Sequence, residues 1–542
     1  MTARPVATAA PTSRRGRLRL RNGSDELGVR WRAWAAWLTL PAIVLGVFIY
    51  PEPHLAPMPT PPALGLLALA AIGLGLLGRP RLLILLPVAA AYIPSLQIGF
   101  AAILLTLALF VAAYGGRRLT RPLDGLDRIF IGVLVWTTGA WLVNIGIETD
   151  AWSFPVFVVT FLAPWLLLFV ARAAPWTVEE LRIVLGMWAA LAIAQVAPAL
   201  LKPLVLGLPE AYTIPLILLQ IGQLPLLRVL IGEFSADLTT GTTQSAHHLG
   251  VLLLLALVLL GMLALALGRR LISVLIALTL FAFLMTDSKH VVLAAMVPAG
   301  VLIGKAVWPA LTRRRRTIVK LLALVAVLLI GPPIIVRAVD LAVRDLWGSY
   351  IALTTINPKT QLVIRTTRLM GENDLQTWIG HGPGSFATRA ATIRATDVLF
   401  KEANRLPAFI PPHTGQSYRS VAFDLYTFDI ADQARYRSGA LTNPFSSLVG
   451  IIGEYGLAGS LLVFGFFLGL ARAGYRLWRS DAEPGFRAAG ATIGFALPLF
   501  ILLGIFDSYF EQPDLTGALA VLALVVIAAG DLGGSGARKT AD

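Results

Sequence analysis

The stretch TNPFSSLVGIIGEYGLAGSLLVFGFF (442–467) decides the fold, because a polar segment ends in it and a long apolar run begins. That polar segment reaches back to 337 and is the longest of its kind in the chain. It holds two of the six histidines, His381 in IGHGPGSF and His413 in IPPHTGQSY. Trp, Phe and Tyr are spaced along it, which favours a folded loop over a disordered one.

The rest of the 542-residue chain is strongly apolar, with 57% hydrophobic residues, 14% charged residues and a mean hydropathy of +0.75. An ordinary soluble protein has about 25% charged residues. Apolar runs of roughly 17–25 residues, long enough to cross a bilayer as helices, recur along the chain. The sequence therefore predicts an all-α polytopic membrane protein, because backbone groups in lipid must be satisfied within helices.

The length criterion predicts about 14 membrane spans. They are 34–50, 62–78, 82–96, 98–114, 129–147, 155–172, 181–200, 246–267, 271–286, 291–308, 317–336, 448–471, 488–506 and 515–530. The segment 201–245 contains an apolar stretch interrupted by two prolines and a glycine. We predict that it is re-entrant or interfacial, since broken helices at membrane depth line cavities.

The net charge of +15 comes mostly from Lys and Arg in short loops, a pattern of membrane orientation and not of nucleic-acid binding. With both termini in the cytoplasm, every basic cluster of a short loop lies inside and the large loop lies outside. No cleaved signal peptide is expected, and a chain without Cys has no disulfides. The predicted domains are a basic cytoplasmic tail (1–32), a transmembrane bundle (33–336), an extracytoplasmic loop (337–447), C-terminal membrane helices (448–530) and a cytoplasmic tail (531–542).

Two groups of basic residues lie at the predicted outer face. Lys289 follows Ser288 between two spans, where an ionisable group usually faces a cavity or a partner. A plain turn, with Asp287 paired to Lys289, explains this string about as well. Arg365 and Arg368 stand near the head of the loop.

The loop then carries a glycine string and ends at a membrane helix. Gly382 and Gly384 permit a tight turn and a close approach of the backbone to a ligand, although taken alone the string is better explained by a simple turn that joins a helix to an extended segment. Asn443 is a candidate helix cap at the start of the next span. Glu454 lies inside that span and requires a partner there.

Together these features resemble the O-antigen ligase/O-antigen polymerase superfamily of bacterial membrane glycosyltransferases. In that family a Ser-Arg pair ends a span, and an outer loop follows with an Arg, a glycine string, a His-Asn pair and E-x-G-x-x-G. Ser288-Lys289, Arg365, Gly382 to Phe386, Asn443 and Glu454 to Gly459 match these motifs over roughly 205–530. Lys289 replaces the family's Arg, and Thr442 stands where the family has its required His.

The resemblance implies transfer of an oligosaccharide from a polyprenyl diphosphate to an acceptor hydroxyl, without metal or cofactor, at the outer side of the bacterial cytoplasmic membrane. Its partners would be that lipid-linked donor, a lipid or glycan acceptor and membrane lipids. The leaving diphosphate needs fixed cations, for which Lys289 and Arg365 are candidates, with Arg368 in reserve. The acceptor needs a base, and the candidates are His413 first, then His381 and Glu454.

Two other classes of function stay open. A polyprenyl-linked glycan flippase would have a similar number of spans and a basic cavity. It would not need a large folded outer loop, and it should show two similar halves, which the sequence lacks by eye. A non-catalytic scaffold of envelope assembly is compatible with Thr442.

Overall fold

The computed structural model describes residues 79–92, 96–199, 245–267, 270–286, 288–311, 358–395, 410–423, 425 and 446–539. Within these ranges the chain is helical and contains no β-strand. Eight helices are long and apolar enough to cross a membrane, which supports a membrane-embedded protein. They lie at Ile98–Thr120, Gly125–Asn144, Ser153–Ala171, Val178–Ala199, His247–Leu267, Ser447–Arg479, Pro484–Leu503 and Pro513–Leu532.

The predicted count of about 14 spans is not confirmed by these eight helices. The predicted spans 34–50, 62–78 and 317–336 lie outside the described residues, as does nearly all of the predicted re-entrant segment 201–245. Among the described residues, the predicted spans 82–96, 271–286 and 291–308 correspond to shorter apolar helices, Pro80–Ala90, Arg270–Phe283 and His290–Leu302. The first of these is a 3-10 helix, Pro80–Leu85, that leads into a five-residue α-helix, Leu86–Ala90.

The helices used below are numbered in chain order. They are α1 (Leu96–Thr120), α2 (Gly125–Asn144), α3 (Ser153–Ala171), α4 (Val178–Ala194), α5 (Ala246–Leu267), α6 (Arg270–Met285), α7 (Lys289–Leu311), α8 (Pro358–Glu372), α9 (Asp374–Ile379), α10 (Arg389–Arg394), α11 (Ser447–Arg479), α12 (Pro484–Leu503) and α13 (Pro513–Lys539). Helix α3 contains a π-helical turn at Val158–Leu162.

Helix α11 is the element on which the described parts of the loop 337–447 pack. It begins after Ser446, whose hydroxyl accepts a hydrogen bond from the Val449 N–H at 3.3 Å. The cap is therefore Ser446, and the prediction of Asn443 as the cap is wrong for this helix. Near its start α11 is kinked at Gly456, where φ is +64°. A left-handed residue of this kind interrupts the helical hydrogen bonds and favours glycine.

The described parts of the large loop are helical and pack on the ends of the membrane helices. Helix α8 carries Lys359, whose ammonium donates to the Phe506 carbonyl after α12. Helix α9 ends at Gly380, beside the kink of α11. The N–H groups at the start of α10 donate to Glu511, just before α13. The loop is thus fastened to at least three membrane helices.

The opposite end of the bundle is closed by ion pairs. Asp127 at the start of α2 lies 2.5 Å from both Arg118 of α1 and Arg172 after α3. Arg121 pairs with Asp531 of α13 at 2.7 Å. These arginines belong to the clusters predicted to face the cytoplasm, and here their charges link neighbouring helices.

Candidate functional site

The glycine string of the loop wraps around the carboxylate of Glu454. The N–H of Gly384 donates to Glu454 Oε2 at 2.9 Å, and the N–H of Phe386 donates to Oε1 at 3.2 Å. The hydroxyl of Thr388 donates to Oε1 as well. Glu454 is completely buried, so three donors compensate its removal from water. The Glu454 carboxylate therefore points toward the loop and is held there mainly by backbone N–H groups.

Glycine is required in this string because its backbone lies in direct contact with other segments of the chain. At Gly380, where φ is +80°, an added Cβ would lie 2.2 Å from the carbonyl oxygen of Glu454. At Gly382, where φ is +91°, it would lie 2.9 Å from the Thr149 side chain. The N–H groups of His381 and Gly382 donate to the carbonyls of Gly453 and Glu454 at 2.9 and 3.0 Å. The string therefore holds His381 rigidly against α11.

His381 ends a hydrogen-bonded relay that begins at Glu148, in the connection between α2 and α3. The Ser417 hydroxyl donates to Glu148 Oε1 at 2.7 Å, and the Ser417 N–H donates to Oε2 at 2.9 Å. Ser417 Oγ is also 2.7 Å from His381 Nδ1. All three side chains are buried.

The relay determines the tautomer of His381. Since the Ser417 hydroxyl proton points to Glu148, its oxygen is the acceptor toward the imidazole, and His381 Nδ1 carries the proton. In the neutral imidazole, Nε2 then carries the lone pair. Within the described part of the chain, this buried nitrogen has no hydrogen-bond partner. A neutral imidazole with its outer nitrogen unprotonated is in the form that a general base needs.

The electrostatics of the relay favour an ionised Glu148. Burial acts to raise the pKa of this carboxyl group, but the neighbouring His381 and the hydrogen bonds from Ser417 outweigh it, and the pKa is lowered. An anion 3.8 Å from His381 Nδ1 would stabilise a positive charge on the imidazole. The order of the groups differs from a serine-nucleophile triad, since Ser417 donates to the carboxylate and not to the histidine.

His413 lies on the other side of Glu148. Its Nε2 is 3.0 Å from the Glu148 carbonyl oxygen, to which it donates. Its Nδ1 is 4.0 Å from Asp150 Oδ2, and its side chain is partly exposed. The structure thus brings His381 and His413, both predicted from the loop, to one residue. We call Glu148, Ser417, His381 and His413 the relay cluster.

Asp150 and Arg394 form an ion pair next to the relay cluster. Both terminal nitrogens of the buried Arg394 donate to Asp150, one of them at 2.7 Å. Arg394 also donates to the Pro411 carbonyl at 2.8 Å, and its own carbonyl accepts from the His413 N–H at 3.1 Å. Burial opposes ionisation of Asp150, but the hydrogen bonds from Arg394 and Ser153 lower its pKa to about 2.

A second group of histidines lies where four membrane helices end. His248 Nδ1 of α5 is 2.6 Å from Asp514 of α13, and His290 Nε2 of α7 is 2.5 Å from the Tyr509 hydroxyl. The rings of His247 and His290 meet edge-to-face at 4.3 Å. We call these five residues the helix-end cluster. It contains three of the six histidines and was not predicted as a group.

Of the predicted cations, Lys289 adjoins this second cluster in sequence, whereas Arg365 and Arg368 lie on α8. Lys289 is the first residue of α7, directly before His290. Arg365 is half-buried on α8, while Arg368 is exposed and pairs with Glu372 at 3.2 Å. Lys359, one and a half to two turns before Arg365, is buried, and burial lowers its pKa to about 8 although Asp507 opposes the shift.

Glu511 joins the loop to the same region. Its carboxylate accepts from the Arg389 N–H at 2.7 Å and the Ala390 N–H at 3.4 Å. Burial raises its pKa to about 7, against the effect of these bonds. A carboxylate at a helix start satisfies N–H groups that lack partners within the helix.

Sequence reasoning missed Glu148, Ser417, Lys359 and Glu511. Nothing in the sequence near Glu148 points to a distant partner, and Gly415 was the available signal for Ser417. A Cβ at Gly415 would lie 2.9 Å from Glu148 Oε2, so this glycine marks a close contact. Thr442 and Asn443 lie outside the described residues, as does the side chain of Lys289.

The relay cluster can accept a proton at His381, and the helix-end cluster includes His290, which directly follows the predicted Lys289 at the start of α7. Among the described residues, no group of three or more His, Asp or Glu side chains is arranged to hold a metal ion. No protein-family model matches this sequence, and a search of curated proteins found no match.

Proposed function

We propose that this protein is a membrane glycosyltransferase of bacterial envelope assembly. It would transfer an oligosaccharide from a polyprenyl diphosphate to an acceptor hydroxyl at the outer side of the cytoplasmic membrane, with both termini inside. The observation that carries the proposal is the buried Nε2 of His381, which has no hydrogen-bond partner among the described residues and lies at the end of an anionic relay. Transfer to a hydroxyl requires such a base, and a transporter or a scaffold does not.

In the proposed reaction His381 Nε2 takes the proton of the acceptor hydroxyl. The acceptor oxygen forms a bond to the anomeric carbon of the donor sugar, and the bond from that carbon to the diphosphate oxygen breaks. The electron pair leaves with the polyprenyl diphosphate. The imidazolium that forms is stabilised by ionised Glu148 through Ser417, a role suited to a fixed and buried charge.

The leaving diphosphate would be bound on the side of Lys289 and Arg365. The support is the resemblance of the motifs, together with Lys359, a buried lysine on the same helix as Arg365. Fixed cations stabilise charge that develops on a leaving group. Arg368 is the weaker candidate, because its side chain is 82% exposed and already paired with Glu372.

The proposal accounts for Thr442, which stands where the family has its required His. His381 would supply the base that the family has at the start of the following span. The geometry favours His381 over His413, because His413 Nε2 is occupied by the Glu148 carbonyl whereas His381 Nε2 has no partner among the described residues. Glu454 is less suited, since three donors from the loop already surround its carboxylate.

The test is a transfer assay in proteoliposomes with a synthetic polyprenyl-diphosphate oligosaccharide and a soluble glycan acceptor. The proposal predicts product with the wild type and none with His381→Ala. A fluorescent lipid-linked donor in the same vesicles reports flipping. Flipping without transfer would replace the proposal by a flippase, and neither activity across several donors would favour the scaffold.

A further inference from the structure

The short helix α9 (Asp374–Ile379) presents an apolar face that no described residue covers. Leu375 is 60% exposed and Trp378 is 57% exposed. The two residues are three positions apart, so they lie on the same side of the helix. Large apolar side chains that are exposed together mark an interaction surface rather than ordinary surface composition.

The location of α9 identifies what covers this face. At its C-terminal end the backbone of Trp378 touches the kink of α11, because a Cβ on Gly456 would lie 2.4 Å from the Trp378 carbonyl group. Directly beyond the kink, Leu457 and Leu461 of α11 are 41% and 70% exposed. They belong to a helix long and apolar enough to cross a membrane, so their exposed sides face lipid.

The other flank of α9 leads to the same conclusion. The Asn144 side-chain amide at the end of α2 donates to the Gly380 carbonyl at 3.2 Å. Ile145 and Ile147, which directly follow α2, are 43% and 64% exposed. The apolar surface of the bundle therefore continues to the level at which α9 is attached. Because α9 lies between these two exposed apolar surfaces, it is exposed to the same environment as they are.

The composition of α9 fits the boundary of a bilayer. Tryptophan is enriched where membrane meets water, because its ring is apolar but its N–H needs a polar partner. Asn373, an uncharged residue, caps the helix. Its side-chain oxygen accepts a hydrogen bond from the Leu375 N–H at 3.0 Å. Asp374 and Glu372, at the start of α9 and before it, supply polar groups for the water side.

We propose that α9 is a membrane-contact helix, with Leu375 and Trp378 inserted in the lipid at the end of the bundle that carries both histidine clusters. The occupant of this face is bilayer lipid and not a second protein. The proposal needs only a membrane-embedded bundle and is independent of the proposed reaction. The proposal implies that His381 is held at the membrane surface, because it follows Trp378 by three residues.

The chain suits a direct test, because it contains no cysteine and each single-cysteine variant can be labelled at one site. Leu375→Cys and Trp378→Cys carry the test labels. Leu461→Cys is the reference in lipid, and Glu372→Cys, whose native side chain is 57% exposed, is the reference in water. Each variant is spin-labelled in vesicles of phosphatidylethanolamine and phosphatidylglycerol, and its accessibility to oxygen and to a water-soluble nickel chelate is measured.

The expected result is loss of nickel relaxation and gain of oxygen relaxation at positions 375 and 378, as at Leu461→Cys. Relaxation by nickel at both positions, equal to that of Glu372→Cys, would overturn the proposal. Protection from both reagents would also overturn it, because it would mean that protein and not lipid covers the face. Two independent test positions keep the result decisive if one variant fails to fold.

Discussion

The two histidine clusters are built from similar groups but differ in the partners of their imidazole rings. In the helix-end cluster, His248 and His290 are bound to Asp514 and Tyr509, at and just before the start of α13. In the relay cluster, Ser417 binds the inner nitrogen of His381, and among the described residues Nε2 has no hydrogen-bond partner. The first arrangement links the ends of helices to each other. The second links the loop to the connection between α2 and α3 through one nitrogen of the His381 ring.

Burial and hydrogen bonding do not by themselves single out the histidine that we propose as the base. Both clusters contain a carboxylate, and most of their side chains are buried. The observation on which the choice of His381 as the proposed base rests is its second ring nitrogen. Among the described residues, His381 Nε2 is buried without a hydrogen-bond partner, so in the neutral ring its lone pair can take a proton.

The largest expected effect is on the rate of transfer in His381→Ala. Loss of a positioned base lowers the rate by about 10²–10⁴. The assay is the proteoliposome transfer reaction at saturating donor. The matched variant is His248→Asn in the helix-end cluster, which should lower thermal stability but change the rate by less than about tenfold. Equal loss of rate in both variants, with unchanged stability, would erase the distinction between the clusters.

The sequence predicted the parts of this comparison that depend on composition or on local motif. Long apolar runs identified most of the described membrane helices, and His381, His413 and Glu454 were selected from short strings. The relay could not be predicted from the sequence, because Glu148 and Ser417 are 269 residues apart and come into contact only after folding. Run 82–96 was mistaken for a span because apolar composition does not reveal where a helix stops.

The second effect is on stability at the contact between loop and α11. Gly380→Ala should lower the free energy of unfolding by about 1–3 kcal/mol or more, because φ is +80° and the new Cβ would lie 2.2 Å from a carbonyl oxygen. Thermal unfolding in detergent measures it. Gly465→Ala is the matched control, since it has open space and a helical backbone, and it should be neutral or stabilising. Equal melting temperatures for the two variants would contradict the close contact.

The third effect is on the charge of the relay. Glu148→Gln keeps an acceptor for Ser417 but removes the anion that stabilises the imidazolium. We expect transfer to fall by about 10–100-fold, the equivalent of a charge-assisted hydrogen bond. Glu372→Gln on the exposed face of α8 is the control and should leave the rate unchanged. An unchanged rate in Glu148→Gln would show that the relay does not act through its charge.

The smallest effect concerns acid stability of the relay cluster. The pKa of Asp150 is lowered from 3.8 to about 2, so its pairing with Arg394 stabilises the fold above about pH 4 and is lost as the pH falls toward 2. Wild type should therefore melt above Asp150→Asn at neutral pH, and the difference should shrink over that interval. A difference that is constant from pH 5 to pH 2 would contradict an ionised Asp150.

The tautomer of His381 is the most direct test of the account. With only six histidines, protein labelled with ¹⁵N-histidine gives a small set of ring signals, and His381→Ala identifies the pair that belongs to His381. Near neutral pH the account predicts a protonated Nδ1 and an unprotonated Nε2, and Ser417→Ala should abolish this preference. A signal from His381 with the proton on Nε2 in the wild type would contradict the claim that the relay prepares this nitrogen to accept a proton.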